Sequence, residues 1–248
     1  MRQLVPPWQH PAFDPPSNPQ IRIWRYMDFT QLVSMLEAGG LLFTRGDLLE
    51  DKFEGTMSRP TYRFLKEHEQ DPRQHADLLR LTKAWSYVNC WHMSEHESAA
   101  MWKVYSTAKE SVSIQSTYLR LRAALDDDVH IGEIKYIYYD LDKIPANNTF
   151  FSLMYKRRSF EFERELRAVW SALHEVADAG PAVASGLEFR PADDPAVWKK
   201  VKLGDLIENV YVSPTAKPWF LALVKKILSR YRMNVSVCQS DLAAEPLS

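Results

Sequence analysis

Apolar and polar residues alternate with a period of two in several short segments of the chain, a pattern typical of half-buried β-strands. Between these segments, apolar residues recur at helical spacing. The predicted strands cover residues 21–26, 41–44, 85–92, 111–116, 131–139, 160–167, 207–212 and 234–238. The predicted helices cover residues 30–38, 60–84, 117–125, 148–160 and 216–231, with one more over Met101 to Tyr105 that Ser94 and Glu97 would cap.

These strands alternate instead of running continuously apolar, which argues against a doubly wound parallel sheet. We therefore expect an α+β fold, a single domain with a mixed, largely antiparallel sheet flanked by helices. Residues 21–26, 111–116, 131–139 and 163–170 should share this sheet.

The first twenty residues carry six of the fifteen prolines and form neither helix nor much sheet, so they predict a Pro-rich N-terminal arm over 1–20. This arm either lies on the body or stays mobile. The remaining chain, 21–248, is expected to be one α+β domain. It would end in a strand–helix–strand unit at about 207–238.

Composition narrows the function classes. The chain has 31 basic and 32 acidic residues, so its net charge is not expected to attract nucleic acid or an anionic membrane. Its two cysteines, Cys90 and Cys238, do not have the spacing of metal ligands. No apolar run long enough to span a membrane and no signal-peptide pattern occur, so a cytoplasmic protein is expected. No phosphate-cradling glycine-rich loop and no nucleophile elbow occur, which disfavours P-loop phosphoryl transfer and serine hydrolysis.

The segment 160–167 is the best candidate for a site. As a strand, it places Glu161, Glu163, Glu165 and Arg167 on one face, where like charges cost free energy unless cations or a ligand compensate them. As a helix, it would be a solvated charged face. The preceding basic run, 156–158, would either hold a phosphate-bearing ligand or neutralise the glutamates.

Two further segments have metal-type patterns. His92, Glu95 and His96 match the inverted zinc-peptidase motif, in which two histidines four apart on a helix bind Zn²⁺. The strand-to-helix junction predicted at Ser94 would separate the histidines, so no metal site is predicted. The acidic loop at 47–55 lacks the ligand spacing of a calcium loop and is interpreted as a solvated turn.

Four motifs resemble those of the bacterial family named domain of unknown function twenty-nine seventy-one. They are Trp24-Arg25-Tyr26, the segment 51–54, Met101-Trp102-x-x-Tyr105, and a basic residue followed by Phe160-x-x-Glu163-x-Glu165-x-Arg167. The resemblance covers about 21–170. The family has no established reaction, so the resemblance implies more about the fold than about the function.

The order of these elements is also similar to ADP-ribosyltransferase-like domains. That similarity implies that a first-strand cation holds NAD, that a hydroxyl on a middle strand shapes the nicotinamide pocket, and that a late glutamate steadies the oxocarbenium-like transition state. The corresponding residues are Arg25 and Tyr26 for NAD, Ser113 and Ser116 for the pocket, Glu163 and Glu165 for catalysis, and Arg158 and Arg167 as partners of a phosphate or a carboxylate.

The resulting hypothesis is an NAD-dependent ADP-ribosyltransferase-like effector, of the phage-defence or toxin type, acting on a nucleic acid or a protein. NAD would be a co-substrate, with no tightly bound cofactor and no membrane partner. Arg25, Ser113 and one of the glutamates should then line a common cleft, and replacing Glu163 or Glu165 with Gln should abolish turnover with little loss of stability. The alternatives are a non-enzymatic binding or regulatory module, in which the charged segment is structural, and a metal-dependent hydrolase built on His92, Glu95 and His96.

Overall fold

The computed structural model describes residues 10–106, 109–173 and 192–244. It confirms an α+β fold with one large, mostly antiparallel sheet. The described strands are β1 (Arg22–Asp28), β2 (Gly40–Arg45), β3 (Ser86–Met93), β4 (Ser111–Thr117), β5 (His130–Glu133), β6 (Lys135–Ile137), β7 (Tyr155–Arg157), β8 (Glu165–Ser171), β9 (Ala196–Lys200), β10 (Asn209–Val212) and β11 (Ser236–Gln239).

Nine of these strands form one sheet, in the order β11-β10-β4-β1-β3-β2-β9, with β8 and β5 attached beside β3. Only the β10–β11 pair is parallel in this sheet, so it is mixed but largely antiparallel, as predicted. Strands β6 and β7 form a separate parallel pair. Of the predicted sheet partners, 21–26, 111–116 and 163–170 contribute β1, β4 and β8 to the large sheet, whereas 131–139 contributes only β5 to it.

The sheet opens in its middle, along one edge of β3. Strand β1 pairs with β3 only at Met93 and His92, whereas β2 pairs with it only at Val88 and Tyr87. The two strands therefore diverge, and the intervening stretch of β3 has no strand partner on that edge. The other edge of β3 pairs with β8 from Ser86 to His92.

Seven α-helices lie among the described residues: α1 (Phe29–Ala38), α2 (Arg59–Glu67), α3 (Pro72–Ala84), α4 (Ala99–Tyr105), α5 (Tyr118–Ala124), α6 (Leu203–Leu206) and α7 (Pro218–Arg230). Helix α1 starts after its N-cap Asp28, one residue before the predicted start, and the Gln31 side chain accepts a hydrogen bond from the Asp28 backbone N–H at 3.0 Å. It ends at Gly39, whose left-handed φ of 57° suits a residue without Cβ.

The two faces of the large sheet differ in what covers them. One face carries the main core, to which Ile23 and Met27 of β1 and Val112 and Ile114 of β4 belong. The opposite face carries Trp24 and Tyr26 under α4, and a second core around Leu153 and Met154. Charged side chains lie between those two apolar clusters on the opposite face.

The described part of the N-terminal arm lies on the body. Ala12 and Phe13 are buried in the second core, and the Phe13 ring stacks on His130 at a centroid distance of 5.1 Å. The Glu133 backbone N–H donates to the carbonyl of Asp14 at 2.8 Å. Of the two alternatives for the arm, packing on the body is correct from residue 10 onward, and the earlier residues lie outside the described ranges.

Five predicted elements differ from the structure. The predicted helix over 60–84 is two helices, α2 and α3, because Pro72 starts a new helix that Asp71 caps. Tertiary contacts, not local pattern, set the other four boundaries. The predicted long strand 131–139 breaks at Ile134, whose backbone N–H donates to Glu165 O at 2.9 Å, and its second half pairs with β7. Residues 148–160 form no single helix; 149–154 and 158–163 are 3₁₀ helices on either side of β7. The predicted strand at 160–167 is wrong up to residue 164. The cap of α4 is Ser98, not Ser94.

Candidate active site

Strands β3 and β8 bring four reactive side chains to one face of the sheet. Their antiparallel register pairs His92 with Glu165 and Cys90 with Arg167. Because side chains alternate along a strand, these four lie on the face opposite the main core. Glu165 and Arg167 share a face, as predicted.

Around this pair lies a buried group of five charged residues, which we call the acid–base cluster: Glu54, Lys156, Glu163, Glu165 and Arg167. The Lys156 ammonium lies 2.5 Å from Glu163 Oε2, 3.3 Å from Glu165 Oε2 and 3.4 Å from Glu54 Oε1. Three carboxylates therefore face two cations, and the formal charge of the cluster is −3 + 2 = −1. One carboxylate is in excess.

Arg167 fixes two of the three carboxylates. Its side chain is fully buried; its Nε lies 2.6 Å from Glu165 Oε1, and its Nη2 bonds to Glu54 and lies 3.0 Å from Glu165 Oε2. A third donor, Nη1, bonds to Leu153 O at 2.6 Å. Burial alone would raise the pKa of Glu165, but the charges of Arg167 and Lys156 outweigh it, so the pKa of Glu165 lies well below its usual range.

Glu163 is the carboxylate that Arg167 does not hold. It accepts hydrogen bonds from Lys156 and from the Tyr105 hydroxyl, the latter at 2.8 Å. Burial raises the pKa of Glu163, and Lys156 opposes this shift. Tyr105 is 42% exposed, so Glu163 lies where the cluster approaches the surface.

The backbone at this point is held in an unusual conformation. Arg164 has a left-handed φ of 40°, which is uncommon for a residue with a side chain. Its N–H donates to Glu161 O at 3.1 Å and its carbonyl accepts from the Met93 N–H at 2.9 Å. This turn joins the 3₁₀ helix to β8 and directs Glu163 and Glu165 toward the same lysine. Such strain persists only where surrounding contacts enforce it, and it is common at functional sites.

His92 and Tyr26 line the side of the cluster that faces β1. The His92 Nδ1–H donates to the carbonyl of Glu163 at 2.6 Å, and burial lowers the pKa of His92, so the neutral imidazole is favoured. The Tyr26 ring lies 6.3 Å from His92 and 5.0 Å from Trp102. The Tyr26 hydroxyl accepts from the Ser98 N–H at 2.9 Å, which anchors the start of α4.

The predicted ligand-binding serines have different surroundings. Ser113 of β4 is the register partner of Tyr26 of β1, so the two side chains lie on the same face of the sheet. The Ser113 hydroxyl is buried and has no hydrogen-bond partner among the described residues. Ser116 is on the other face, where its hydroxyl donates to Leu206 O at 2.6 Å and anchors α6. Ser113 therefore lies on the same face as the acid–base cluster, and Ser116 does not.

The predicted cations are also separated. Arg25 pairs in register with Ile114, on the main-core side of β1, so strand alternation does not bring it beside Ser113 on the opposite face. The common cleft expected for these two residues stays a prediction. Arg158 is exposed and pairs with Glu161 at 3.2 Å. Glu161 therefore lies outside the cluster, contrary to the expectation that it shares a strand face with Glu163.

The zinc-type pattern does not form the geometry it requires. Strand β3 ends at Met93 and α4 begins at Ala99, so His92 is on a strand while His96, like Glu95, is in the following loop. Two histidines one helical turn apart are absent there, which removes the basis of the hydrolase alternative. Within the three described ranges, no group of three or more His, Cys, Asp or Glu could hold a metal ion.

Sequence reasoning missed two members of this site. The interpretation of the acidic loop as a solvated turn is wrong for two of its four acids, because Asp51 and Glu54 are buried and Asp51 pairs with Arg157 at 2.8 Å. Glu54 is a member of the cluster. Tyr105 was predicted as a helix residue and as part of a motif, without a role at the site. Its place at the end of the Met101-Trp102-x-x-Tyr105 motif, beside a charged segment, was the available signal.

Two surface grooves lie away from the cluster. One, of about 400 Å³, lies between α7 and β11, and the other, of about 460 Å³, is lined by residues that include Phe64 and Lys143. In the part of the chain that the structure describes, no helix is long and apolar enough to span a bilayer.

No family model matches the chain, and no curated protein matches it either. The predicted membership of the family of unknown function therefore rests on the quoted motifs alone. Similar solved structures include DarT of Thermus sp. 2.9 in complex with carba-NAD⁺, at 11% identity and a TM-score of 0.39 over 93% of this chain and 100% of that one. The same protein in complex with NAD⁺ aligns at 12% identity and a TM-score of 0.38, with the same coverage. Likeness at this level assigns no role to any residue here.

Proposed function

We propose that the chain is an NAD-dependent ADP-ribosyltransferase-like enzyme whose catalytic carboxylate is Glu163. One observation carries the proposal: Glu163 is the one carboxylate of the acid–base cluster that Arg167 does not contact. Arg167 holds Glu54 and Glu165, whereas Glu163 lies at the cluster edge under an exposed tyrosine. Buried acids whose pKa is raised by burial and opposed by a specific charged partner are typical of catalytic sites.

The proposed reaction breaks the bond between the ribose C1 and the nicotinamide nitrogen, and the bonding electrons leave with nicotinamide. The developing positive charge on the ribose is stabilised by the Glu163 carboxylate. An acceptor oxygen or nitrogen then bonds to C1 and releases a proton. Because burial raises the pKa of Glu163, this carboxylate also suits the role of proton acceptor.

Neighbouring side chains support this role in different ways. Lys156 and the Tyr105 hydroxyl orient the Glu163 carboxylate, and the charge of Glu165 is already balanced by Arg167. We assign Glu165 a positioning role, because it holds Lys156 in place at 3.3 Å. Ser113, with its unpaired hydroxyl, is the proposed polar contact for the ligand on the same face.

Arg25 would reach the same ligand only through the opening between β1 and β2. It lies in the part of β1 that has no β3 partner, and its guanidinium makes no ion pair within the described residues. We propose that it binds a phosphate there. Arg158 is a surface residue paired with Glu161, so it would contact a phosphate of the ligand only by giving up that ion pair.

The test is nicotinamide release from NAD by the full chain, with a protein or an oligonucleotide acceptor supplied. Glu163→Gln is expected to reduce release by at least about a hundredfold, since loss of one electrostatic contact to the transition state costs about 10²–10³ in rate. Glu161→Gln is the matched control, because it removes a glutamate two residues away that lies outside the cluster.

Binding is measured in parallel from the shift in melting temperature on adding NAD. Release by the native chain that is lost in Glu163→Gln and kept in Glu161→Gln supports the assignment. Equal release by both variants would contradict it. No release with either acceptor, together with no thermal shift, would refute NAD as the co-substrate.

A non-enzymatic binding module is the second candidate. The observation that favours it is the complete pairing of the acid–base cluster, since every carboxylate there contacts a cation. A buried ion network of this kind can serve packing alone. In that case the chain would show no nicotinamide release with any acceptor.

A further inference from the structure

The surface formed by α7 and β11 has a charge pattern unlike the rest of the chain. Residues 209–240 contain five basic residues and no Asp or Glu, although the whole chain has a net charge of −1. All five are exposed and make no ion pair within the described residues. They are Lys217, Lys225, Lys226, Arg230 and Arg232.

These cations are arranged around an exposed indole and a groove. At helical spacing, Trp219, Lys226 and Arg230 lie on one stripe of α7, about 16 Å long, opposite the buried Phe220 and Val224. Trp219 is 54% exposed. Beside this stripe, Lys225 and Arg232 line the groove of about 400 Å³, together with Ser229 and Asn234.

Helix stability accounts for only part of this charge. Lys225, Lys226 and Arg230 lie in the C-terminal half of α7, where the helix macrodipole favours cations. Lys217 is the N-cap residue of the same helix, where the macrodipole disfavours a cation. Lys226 and Arg230 also repel each other at one-turn spacing. An anionic partner would compensate all five charges.

We propose that this surface, defined by α7, β11 and the five cations, binds the phosphate backbone of a single-stranded nucleic acid. Lysine and arginine neutralise phosphates, and an exposed tryptophan gives a base a ring on which to stack. An anionic bilayer fits less well, because Trp219 is the one exposed large apolar side chain among residues 209–240, and interfacial helices need an apolar face. This inference does not depend on the proposed transferase function.

The experiment measures binding of the full chain to a fluorescent oligonucleotide of about 16 nucleotides by anisotropy, at salt concentrations from about 50 to about 200 mM. If each cation contacts one phosphate, log K should fall against log salt with a slope of about −3.5. The variant Lys226→Glu/Arg230→Glu should weaken binding at least about tenfold and reduce the magnitude of the slope by at least about 1.4. Trp219→Ala should weaken it at least about fivefold.

The matched control is Arg63→Glu/Arg73→Glu, which makes the same charge change at two exposed arginines of α2 and α3 that have no ion pair in the described chain. Its affinity should stay within about threefold of the native chain. Because charge reversal can weaken α7 itself, Lys226→Gln/Arg230→Gln is measured as well, with melting curves for each variant. Equal losses in the test and control variants, or binding to phosphatidylserine vesicles without binding to the oligonucleotide, would overturn the proposal.

Discussion

The acid–base cluster predicts that two charge-removing substitutions within it will have very unequal effects on stability. In the native cluster, three carboxylates face two cations. Glu163→Gln leaves two carboxylates and two cations, and Lys156 keeps Glu54 and Glu165 within 3.4 Å. Arg167→Met leaves three carboxylates and one cation in a buried space, so the formal charge becomes −2.

The expected magnitudes follow from this difference. Removing one partner of a buried ion pair typically costs about 3–5 kcal/mol, and Arg167 is fully buried with two carboxylate partners. For a chain of 248 residues, each kcal/mol shifts the melting temperature by roughly 2–4 °C. Arg167→Met should therefore lower it by about 6–20 °C. Glu163→Gln should change it by less than about 4 °C, because the burial that raises the pKa of Glu163 already disfavours its charge.

The assay is thermal unfolding at pH 7 followed by circular dichroism, with Glu161→Gln as the exposed control. Glu165→Gln belongs in the same series and should resemble Arg167→Met in direction, because it leaves Arg167 with Glu54 alone. This revises the expectation from sequence that Glu163 and Glu165 can be replaced with equally small loss of stability. Melting temperatures of Arg167→Met and Glu163→Gln that agree within about 2 °C would refute the distinction between the two carboxylates that Arg167 holds and Glu163, which it does not hold.

Two further predictions concern acid stability and the arm. The folded-state pKa of Glu165 is lowered to about 2, so its contribution to stability is present above its ordinary pKa of 4.5 and is lost as pH falls from 4.5 toward 2. Over this range the melting temperature should therefore fall less steeply with pH in Glu165→Gln than in the native chain. Parallel pH dependences of the two melting temperatures would contradict this. A Cβ at Gly132 would lie 2.8 Å from the Phe13 Cα, so Gly132→Ala should lower the free energy of unfolding by about 1–3 kcal/mol. It should also displace the N-terminal arm and speed its cleavage by chymotrypsin near Phe13. An unchanged cleavage rate would show that the arm does not depend on this contact.

Local pattern determined the elements whose signals were strong. Alternation in 21–26 and 111–116 predicted β1 and β4, and helical spacing over 30–38 predicted α1. The α+β class followed because alternating strands imply a sheet with two unlike faces. The charge density of 160–167 identified the neighbourhood of the candidate site.

Tertiary contacts decided which charged residues belong together. The sequence places Glu54 about a hundred residues before Arg167, and nothing local shows that they meet; only the packing of the acidic loop against β8 brings them into contact. In the same way, strand alternation could not predict that the chain turns at Arg164, because a left-handed residue there depends on the bonds from Met93 and to Glu161.

The sequence alone therefore determined the sheet-forming segments, the first helix and the region of dense charge, since these depend on periodicity and composition within a few residues. The tertiary structure decided that Arg167 holds Glu165 but not Glu163, and that Arg25 and Ser113 start from opposite faces of the sheet. It also decided that Asp51 and Glu54, predicted to lie in a solvated turn, are buried. The physical reason is that burial and charge compensation are set by strands far apart in sequence. An ionisable group's pKa and accessibility depend on those neighbours and not on the local pattern.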